Sequence, residues 1–152
     1  MFSDKDRATI SHIRNLFSRD DTPPEYREKS NMLILRMAGR DEEHLFCVTC
    51  IGDVLRISTV KNIPVNDCSN EILKYVLDLN LSITLGGFCY VYEKQGFVYK
   101  MGIPLFEMPS KEMVLTFLDY SVNVLDHYLP EIFFIAGNNN IAPNKQREPT
   151  YH

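Results

Sequence analysis

The predicted fold follows from residues 32–60, which read MLILRMAGRDEEHLFCVTCIGDVLRISTV. This stretch contains three runs rich in apolar and β-branched residues, a composition typical of β-strands, at 32–38, 45–51 and 54–60. A polar turn at residues 39–43 joins the first two runs, and Gly52-Asp53 joins the second to the third. Glycine at the first position of a two-residue loop favours a type II′ turn. The stretch is therefore predicted to form an antiparallel meander.

Helices are predicted before and after this meander in the sequence. Apolar residues at helical spacing predict a first helix over residues 4–18, with Ser3 as its N-cap. A second helix starts after Pro64 within the polar residues 66–69, and its apolar face is formed by Ile72, Leu73, Val76 and Leu77. A third helix opens at residues 109–110 and runs to about residue 129, where Pro130 and then Gly137 are expected to close it.

A second hairpin is predicted between the second and third helices. Aromatic residues alternate in residues 88–92 and 97–101, around a turn at 94–96 for which two-residue and three-residue loops both fit. The order α-β3-α-β2-α predicts a two-layer α+β domain, with helices on one side of an antiparallel sheet. The domain is expected to span residues 1–137, and the Asn- and Pro-rich residues 138–152 are expected to form a flexible tail.

Composition is that of an ordinary globular domain, with 45% hydrophobic and 24% charged residues in 152 and a net charge of −4. The basic residues are scattered along the chain, so a nucleic-acid partner is not expected. No apolar run approaches the ~20 residues of a membrane helix and no export signal opens the chain, so no membrane association and a cytoplasmic location are expected. The four cysteines are then most simply reduced core thiols: Cys47, Cys50, Cys68 and Cys89.

The third helix has little polar surface for a helix that lies on one sheet. Its polar residues follow a narrow stripe that is expected to be solvated: Glu112, Thr116, Asp119, Asn123 and Asp126. Large apolar side chains left in water forfeit about 1.5–3 kcal/mol each, so the remaining surface is predicted to form a homodimer interface. The predicted interface residues are Met113, Phe117, Tyr120, Val124 and Tyr128. Alternatively, the first helix or residues 132–135 cover this surface within one chain.

No set of residues specifies catalytic chemistry. His44, Cys47 and Cys50 are spaced like metal ligands, but residues three apart on a strand point to opposite faces, so buried thiols are the preferred interpretation. Weaker candidates for a Cys–His pair or paired carboxylates are Cys89, His44, His127, Asp67, Asp78, Asp119 and Asp126. Gly86-Gly87 lacks the lysine of a phosphate-binding loop. No catalytic residue, cofactor or metal is predicted, and the chain is not expected to be an enzyme.

The aromatic hairpin is suited to protein recognition, because half-buried tyrosines are common in protein interfaces. The predicted protein-binding residues are Phe88, Tyr90, Tyr92 and Tyr99. A partner peptide could lie across this face or add to a free strand edge. The alternative is that one face of the hairpin is simply core beneath the helices.

Several short motifs resemble those of the YbjN family: Leu79-Asn80 at a helix end, Gly87-Phe88 at a strand start, the return strand GFVYK at 96–100, and LDHYLP at 125–130. The resemblance covers roughly residues 4–137, and the family is similar to the type III secretion chaperones. It implies a non-enzymatic, commonly homodimeric scaffold that binds protein segments, with a chaperone-like role or a regulatory role in sensory transduction. The expected partner is therefore a protein or peptide of unknown identity. The alternative function is a small-ligand sensor that uses the crevice between sheet and helices.

Overall fold

The computed structural model describes residues 1–61, 63–64 and 70–140. Its elements follow in the order α1 (Asp4–Leu16), β1 (Glu25–Arg27), β2 (Met32–Ala38), β3 (Glu43–Ile51), β4 (Val54–Thr59), β5 (Ile63–Pro64), α2 (Asn70–Asn80), β6 (Gly87–Val91), β7 (Gly96–Pro104) and α3 (Lys111–Asn140). A 3-10 turn, Tyr92–Lys94, follows β6. The predicted α+β class is confirmed. Within these residues, no helix is long and apolar enough to cross a membrane.

The strands form one antiparallel sheet. In it, β1, β2, β3, β4 and β7 are neighbours in that order, and β6 pairs with the other side of β7. The short strand β5 pairs with the first residues of β7. The meander predicted over residues 32–60 is therefore present. Sequence reasoning missed β1 and β5, which are too short to show an alternating pattern.

One side of the sheet packs against the helices and the other side is open. In β3, buried residues alternate with partly exposed ones, so that Phe46 and Val48 point one way and Cys47 and Thr49 the other. Residues that face the same way as Phe46 form a single core with buried residues of all three helices. The side that carries Phe46 is called the helix face below, and the side that carries Cys47 is called the open face.

Both hairpin turns differ from the predicted ones. Gly52 and Asp53 have φ angles of +58° and +62°, and positive φ at both central residues makes a type I′ turn, not type II′. In the second hairpin Val91 pairs with Gly96, so four residues form the connection instead of two or three. Tyr92 therefore lies in the turn and not in a strand.

Two helix predictions are wrong in detail. Helix α3 does not close at Pro130 or Gly137 but continues to Asn140, so the first three residues of the predicted tail are helical. In α2 the buried face contains Leu79, whereas Leu77 is exposed. The predicted start of α2 at residues 66–69 and the remaining tail, residues 141–152, lie outside the described residues.

Candidate functional site

A crevice of about 450 Å³ opens between one end of the sheet and the C-terminal half of α3. Its described walls are residues 42–45 on one side, Thr59, Lys61, Ile63 and Pro64 on the second, and Leu125, Leu129 and Phe133 of α3 on the third. A volume of this size lies within the range of about 300–1,000 Å³ that is common for ligand pockets. The crevice is therefore large enough to receive a bulky side chain or a small molecule.

The wall that α3 contributes is apolar from the floor to the rim. Leu125, Leu129 and Phe133 are four residues apart, and residues at this spacing lie on one face of a helix. Leu125 is buried in the core, whereas 44% of the Phe133 side chain remains exposed. This face of α3 thus leaves an aromatic ring beside an open cavity, where another apolar group can cover it.

The polar edge of the crevice is built around a buried histidine–aspartate pair. His44 Nε2 lies 2.8 Å from Asp126 Oδ1, and the two side chains are only 7% and 17% exposed. The β2–β3 turn packs tightly on the imidazole ring, because an added Cβ at Gly39 would lie 2.5 Å from His44 Nε2. Glycine at this position therefore allows the turn to approach the ring.

The same turn also holds the helix backbone. Arg40 N donates a hydrogen bond to Asp126 Oδ2 at 2.9 Å, and Arg40 Nη2 donates to the Asp126 carbonyl oxygen at 2.8 Å. Pro130 lies four residues after Asp126 and has no N–H with which to bind that carbonyl, as a normal helix residue would. The Arg40 guanidinium supplies the missing donor, which explains why α3 continues through Pro130.

These contacts favour the charged form of the Asp126 carboxyl. Burial by itself would raise the pKa of the Asp126 carboxyl, but hydrogen bonds from His44 and from Arg40 N outweigh it and hold the pKa below its usual value. Asp126 was predicted to belong to a solvated stripe, and that prediction is wrong for this residue. The pairing was missed because His44 and Asp126 are far apart in sequence; the only local signal was a proline four residues after an aspartate.

The predicted aromatic binding face is largely core. The sheet register places Phe88 opposite Tyr99 and Tyr90 opposite Phe97, so all four point to the helix face. Phe88 and Tyr99 are buried, which corrects the expectation that these two form an accessible binding surface, whereas Tyr90 is half-buried. Tyr92, in the turn, is 81% exposed. Recognition through Tyr90 and Tyr92 stays a prediction.

The outer edge of β6 is partly closed to an added strand. Asn80 Oδ1 accepts a hydrogen bond from Phe88 N at 2.9 Å, and Asn80 Nδ2 donates to the Phe88 carbonyl oxygen at 3.0 Å. The side-chain amide thus occupies both backbone groups that an incoming strand would use at this residue. Gly87 allows the approach, because an added Cβ there would lie 3.2 Å from Asn80 Oδ1.

The apolar surface of α3 is covered in part within the chain. Val124 is buried, so its predicted place in a dimer interface is wrong. The Tyr120 hydroxyl accepts hydrogen bonds from Thr84 N and Leu85 N, both at 3.0 Å, and the Tyr75 hydroxyl of α2 donates to the Glu131 carboxylate. The elements that cover α3 therefore include α2 and the residues after it. Neither the predicted homodimer nor the alternative of cover by the first helix or residues 132–135 named them.

The other predicted interface residues of α3 are only partly buried: Met113, Phe117, Tyr120 and Tyr128. A dimer through these residues stays a prediction.

The prediction that the cysteines are buried core thiols is confirmed for Cys50 and wrong for Cys47 and Cys89, which are only partly buried and lie on the open face. His44 and Cys50 point to the helix face and Cys47 to the open face, so the three do not converge. Burial, with Asp6 nearby, raises the pKa of the Cys50 thiol to about 11. In the part of the chain that the structure describes, no group of three or more side chains could bind a metal ion. Asp67 and Cys68 lie outside the described residues.

No protein-family model matches this chain, and no curated protein matches it. Membership of the YbjN family therefore stays a prediction from the short motifs given above.

Proposed function

We propose that the chain is a non-enzymatic protein-binding module, with the chaperone-like or regulatory role that the resemblance to the YbjN family implies. Its binding site is the crevice, which receives a bulky apolar side chain of the partner protein. The observation that carries this proposal is the apolar wall of α3, where the buried Leu125, the partly buried Leu129 and the half-exposed Phe133 form one face that leads into an open cavity. Fully burying one large apolar side chain contributes about 1.5–3 kcal/mol.

The polar edge of the crevice favours binding because it is already ordered. Asp126 is held by His44 and by the backbone N–H of Arg40, so these groups lose little freedom when a partner arrives. A site that is rigid before binding has a smaller entropy cost on association. Glu42 and Lys61 on the rim supply further polar groups for a partner backbone.

The crevice is less suited to covalent catalysis than to binding. A histidine base acts on a hydroxyl or thiol within hydrogen-bond reach. Among the described lining residues, Thr59 carries the only hydroxyl or thiol, and its Oγ1 already accepts a hydrogen bond from Tyr99 N at 3.2 Å. The described wall thus offers His44 no unengaged hydroxyl or thiol to activate.

The second candidate function is a small-ligand sensor that uses the same crevice. The volume of about 450 Å³ favours it, because it matches a small molecule as well as a side chain. The two functions differ in the mass of the occupant.

Photo-cross-linking at the crevice distinguishes the two functions. A benzophenone amino acid at position 133 should form adducts with a discrete partner protein when source cells are irradiated. The matched control places the same amino acid at Phe134, which is similarly exposed, at 37% against 44%, but points about 100° away around the helix. Mass spectrometry then identifies the adducts. Low-mass adducts at position 133 would favour the sensor, and equal labelling at both positions would contradict a site in the crevice.

The homodimer is tested separately. Light scattering should give a mass near twice 17.6 kDa that persists on dilution, and Phe117→Asp should yield a folded monomer because it places a charge in the predicted interface. Thr116→Asp is the control, since Thr116 is exposed on the polar stripe. A wild-type monomer at every concentration, or a folded Phe117→Asp dimer, would show that this interface is wrong.

A further inference from the structure

The open face carries two adjacent positive charges in the middle of the sheet. Arg56 of β4 is paired with Gly102 of β7, and Lys100 of β7 is paired with Ser58 of β4. Arg56 and Lys100 are therefore diagonal neighbours on the same face, within about 7–8 Å at their Cβ atoms. Both side chains are exposed.

These two charges are not neutralised within the described residues. Two other cations of the open face each bind a carboxylate: Arg27 Nε lies 2.9 Å from Glu25 Oε2, and Arg36 Nη1 lies 2.8 Å from Glu43 Oε1. Neither Arg56 nor Lys100 forms an ion pair in the part of the chain that the structure describes. A chain with a net charge of −4 thus leaves its central strands positively charged.

The surroundings of the two charges are small and neutral. The directly paired neighbours on this face are Thr49, Ser58, Gly87 and Gly102. Glycines at 86, 87 and 102 leave a shallow depression of about 410 Å³ beside Arg56 and Lys100. Gly86 has a φ of +77°, and an added Cβ there would lie 2.5 Å from the Lys100 carbonyl oxygen, so the depression depends on glycine. An incoming group can therefore approach both cations without meeting a large side chain.

Cys47, at the centre of the same face, has further basic residues near it. Burial raises the pKa of the Cys47 thiol, and the nearby charges of Arg27 and Lys94 oppose that rise. Cys47 pairs with Ser58, which in turn pairs with Lys100. Cys47 thus lies among basic residues of the open face, one of which, Arg27, is already paired with Glu25.

From this arrangement we infer that the open face binds an acidic segment of a partner protein, with Arg56 and Lys100 receiving its carboxylates. Charge complementarity favours an anionic occupant, since two like charges on neighbouring strands repel each other until a counter-charge arrives. Single-stranded nucleic acid is favoured less, because its bases stack on aromatic side chains and the described strand residues that point to this face include none. This surface lies on the opposite side of the sheet from the core, and the inference is independent of the crevice.

The test uses a fluorescein-labelled decaglutamate peptide and the full-length chain. Fluorescence anisotropy should show binding that weakens as salt is added, because exposed charges are screened. Arg56→Glu combined with Lys100→Glu should weaken binding at least about tenfold, since like charges then face the peptide. The pair Arg56→Gln and Lys100→Gln repeats the test without new negative charge, and thermal unfolding confirms that the variants fold. The control is Lys74→Glu, at an exposed site on α2, which is compared with Lys100→Glu alone because the two single variants make the same charge change.

Two outcomes would overturn the inference. One is an equal loss of binding in Lys74→Glu and in Lys100→Glu alone, which would show that only the net charge matters. The other is tighter binding of a labelled single-stranded oligonucleotide with the same dependence on Arg56 and Lys100, which would assign the face to nucleic acid. Cross-linking at position 133 is measured separately in the same variants. A failure of the open-face inference can therefore be distinguished from a failure of the crevice proposal.

Discussion

Replacing Asp6 with alanine should lower the free energy of unfolding by about 3–4 kcal/mol, because several hydrogen bonds to one charged group are lost together. The Asp6 side chain is only 3% exposed. Its Oδ2 accepts a hydrogen bond from Ser3 N at 3.1 Å, and its carboxylate also accepts from the backbone N–H groups of Gly52 and Asp53. Asp6 therefore ties the first turn of α1 to the β3–β4 turn. Denaturant unfolding of the variant measures the effect.

Asp4 provides a matched control for this measurement. It lies in the same first turn of α1 and has the same favourable interaction with the helix dipole, but it is exposed. Asp4→Ala should lower the free energy of unfolding by less than about 1 kcal/mol. Equal losses in the two variants would show that the turn contacts of Asp6 contribute nothing beyond the helix dipole.

The effect of Asp6→Ala should also depend on pH. Burial by itself would raise the pKa of the Asp6 carboxyl, but the hydrogen bonds from Ser3, Gly52 and Asp53 outweigh it and hold the pKa below its usual value. A carboxylate with a lowered pKa stabilises the fold above its unfolded pKa of about 3.9, and the contribution is lost as the pH falls through the folded pKa. The difference between wild type and Asp6→Ala should therefore shrink as the solution is acidified below about pH 4.

The parts of the fold that local patterns determine were predictable. Ser3 was predicted as the N-cap of α1, and it is: its hydroxyl accepts a hydrogen bond from Asp6 N at 3.0 Å. The strands β2, β3 and β4 follow from runs rich in apolar and β-branched residues and from the short turn at Gly52-Asp53. In such cases the residues that determine the structure lie within a few positions of one another, so a local sequence pattern is enough to predict it.

The parts that distant residues determine were not predictable. Proline is expected to end a helix, and α3 passes Pro130 because Arg40, from the β2–β3 turn, binds the carbonyl that the proline leaves free. Likewise, alternation shows that the aromatic residues of β6 and β7 share a face, but not whether that face meets the helices or solvent. The candidate crevice was not predictable for the same reason, since residues 42–45 and residues of α3 that are about 80 positions later form its walls.

Replacing Asp126 with alanine should lower the free energy of unfolding by about 2–4 kcal/mol. His44 would lose its partner while remaining almost fully buried, and an unsatisfied buried polar group is unfavourable by about 1–3 kcal/mol. Arg40 N would lose its acceptor at the same time. The control is Asp119→Ala, which removes an exposed carboxylate from the same helix and should change the free energy by less than about 0.5 kcal/mol.

The same variant should loosen the last turns of α3, because Asp126 fixes that part of the helix to the β2–β3 turn. Hydrogen exchange of the backbone amides after Pro130 should be faster in Asp126→Ala than in wild type, and unchanged in Asp119→Ala. Arg40→Ala should also speed this exchange, since the Asp126 carbonyl then has no donor to replace the N–H that Pro130 lacks. If exchange beyond Pro130 is unchanged in both Asp126→Ala and Arg40→Ala, the helix persists for another reason. If it speeds up in both, these contacts hold the wall that carries Phe133, and the shape of the crevice depends on them.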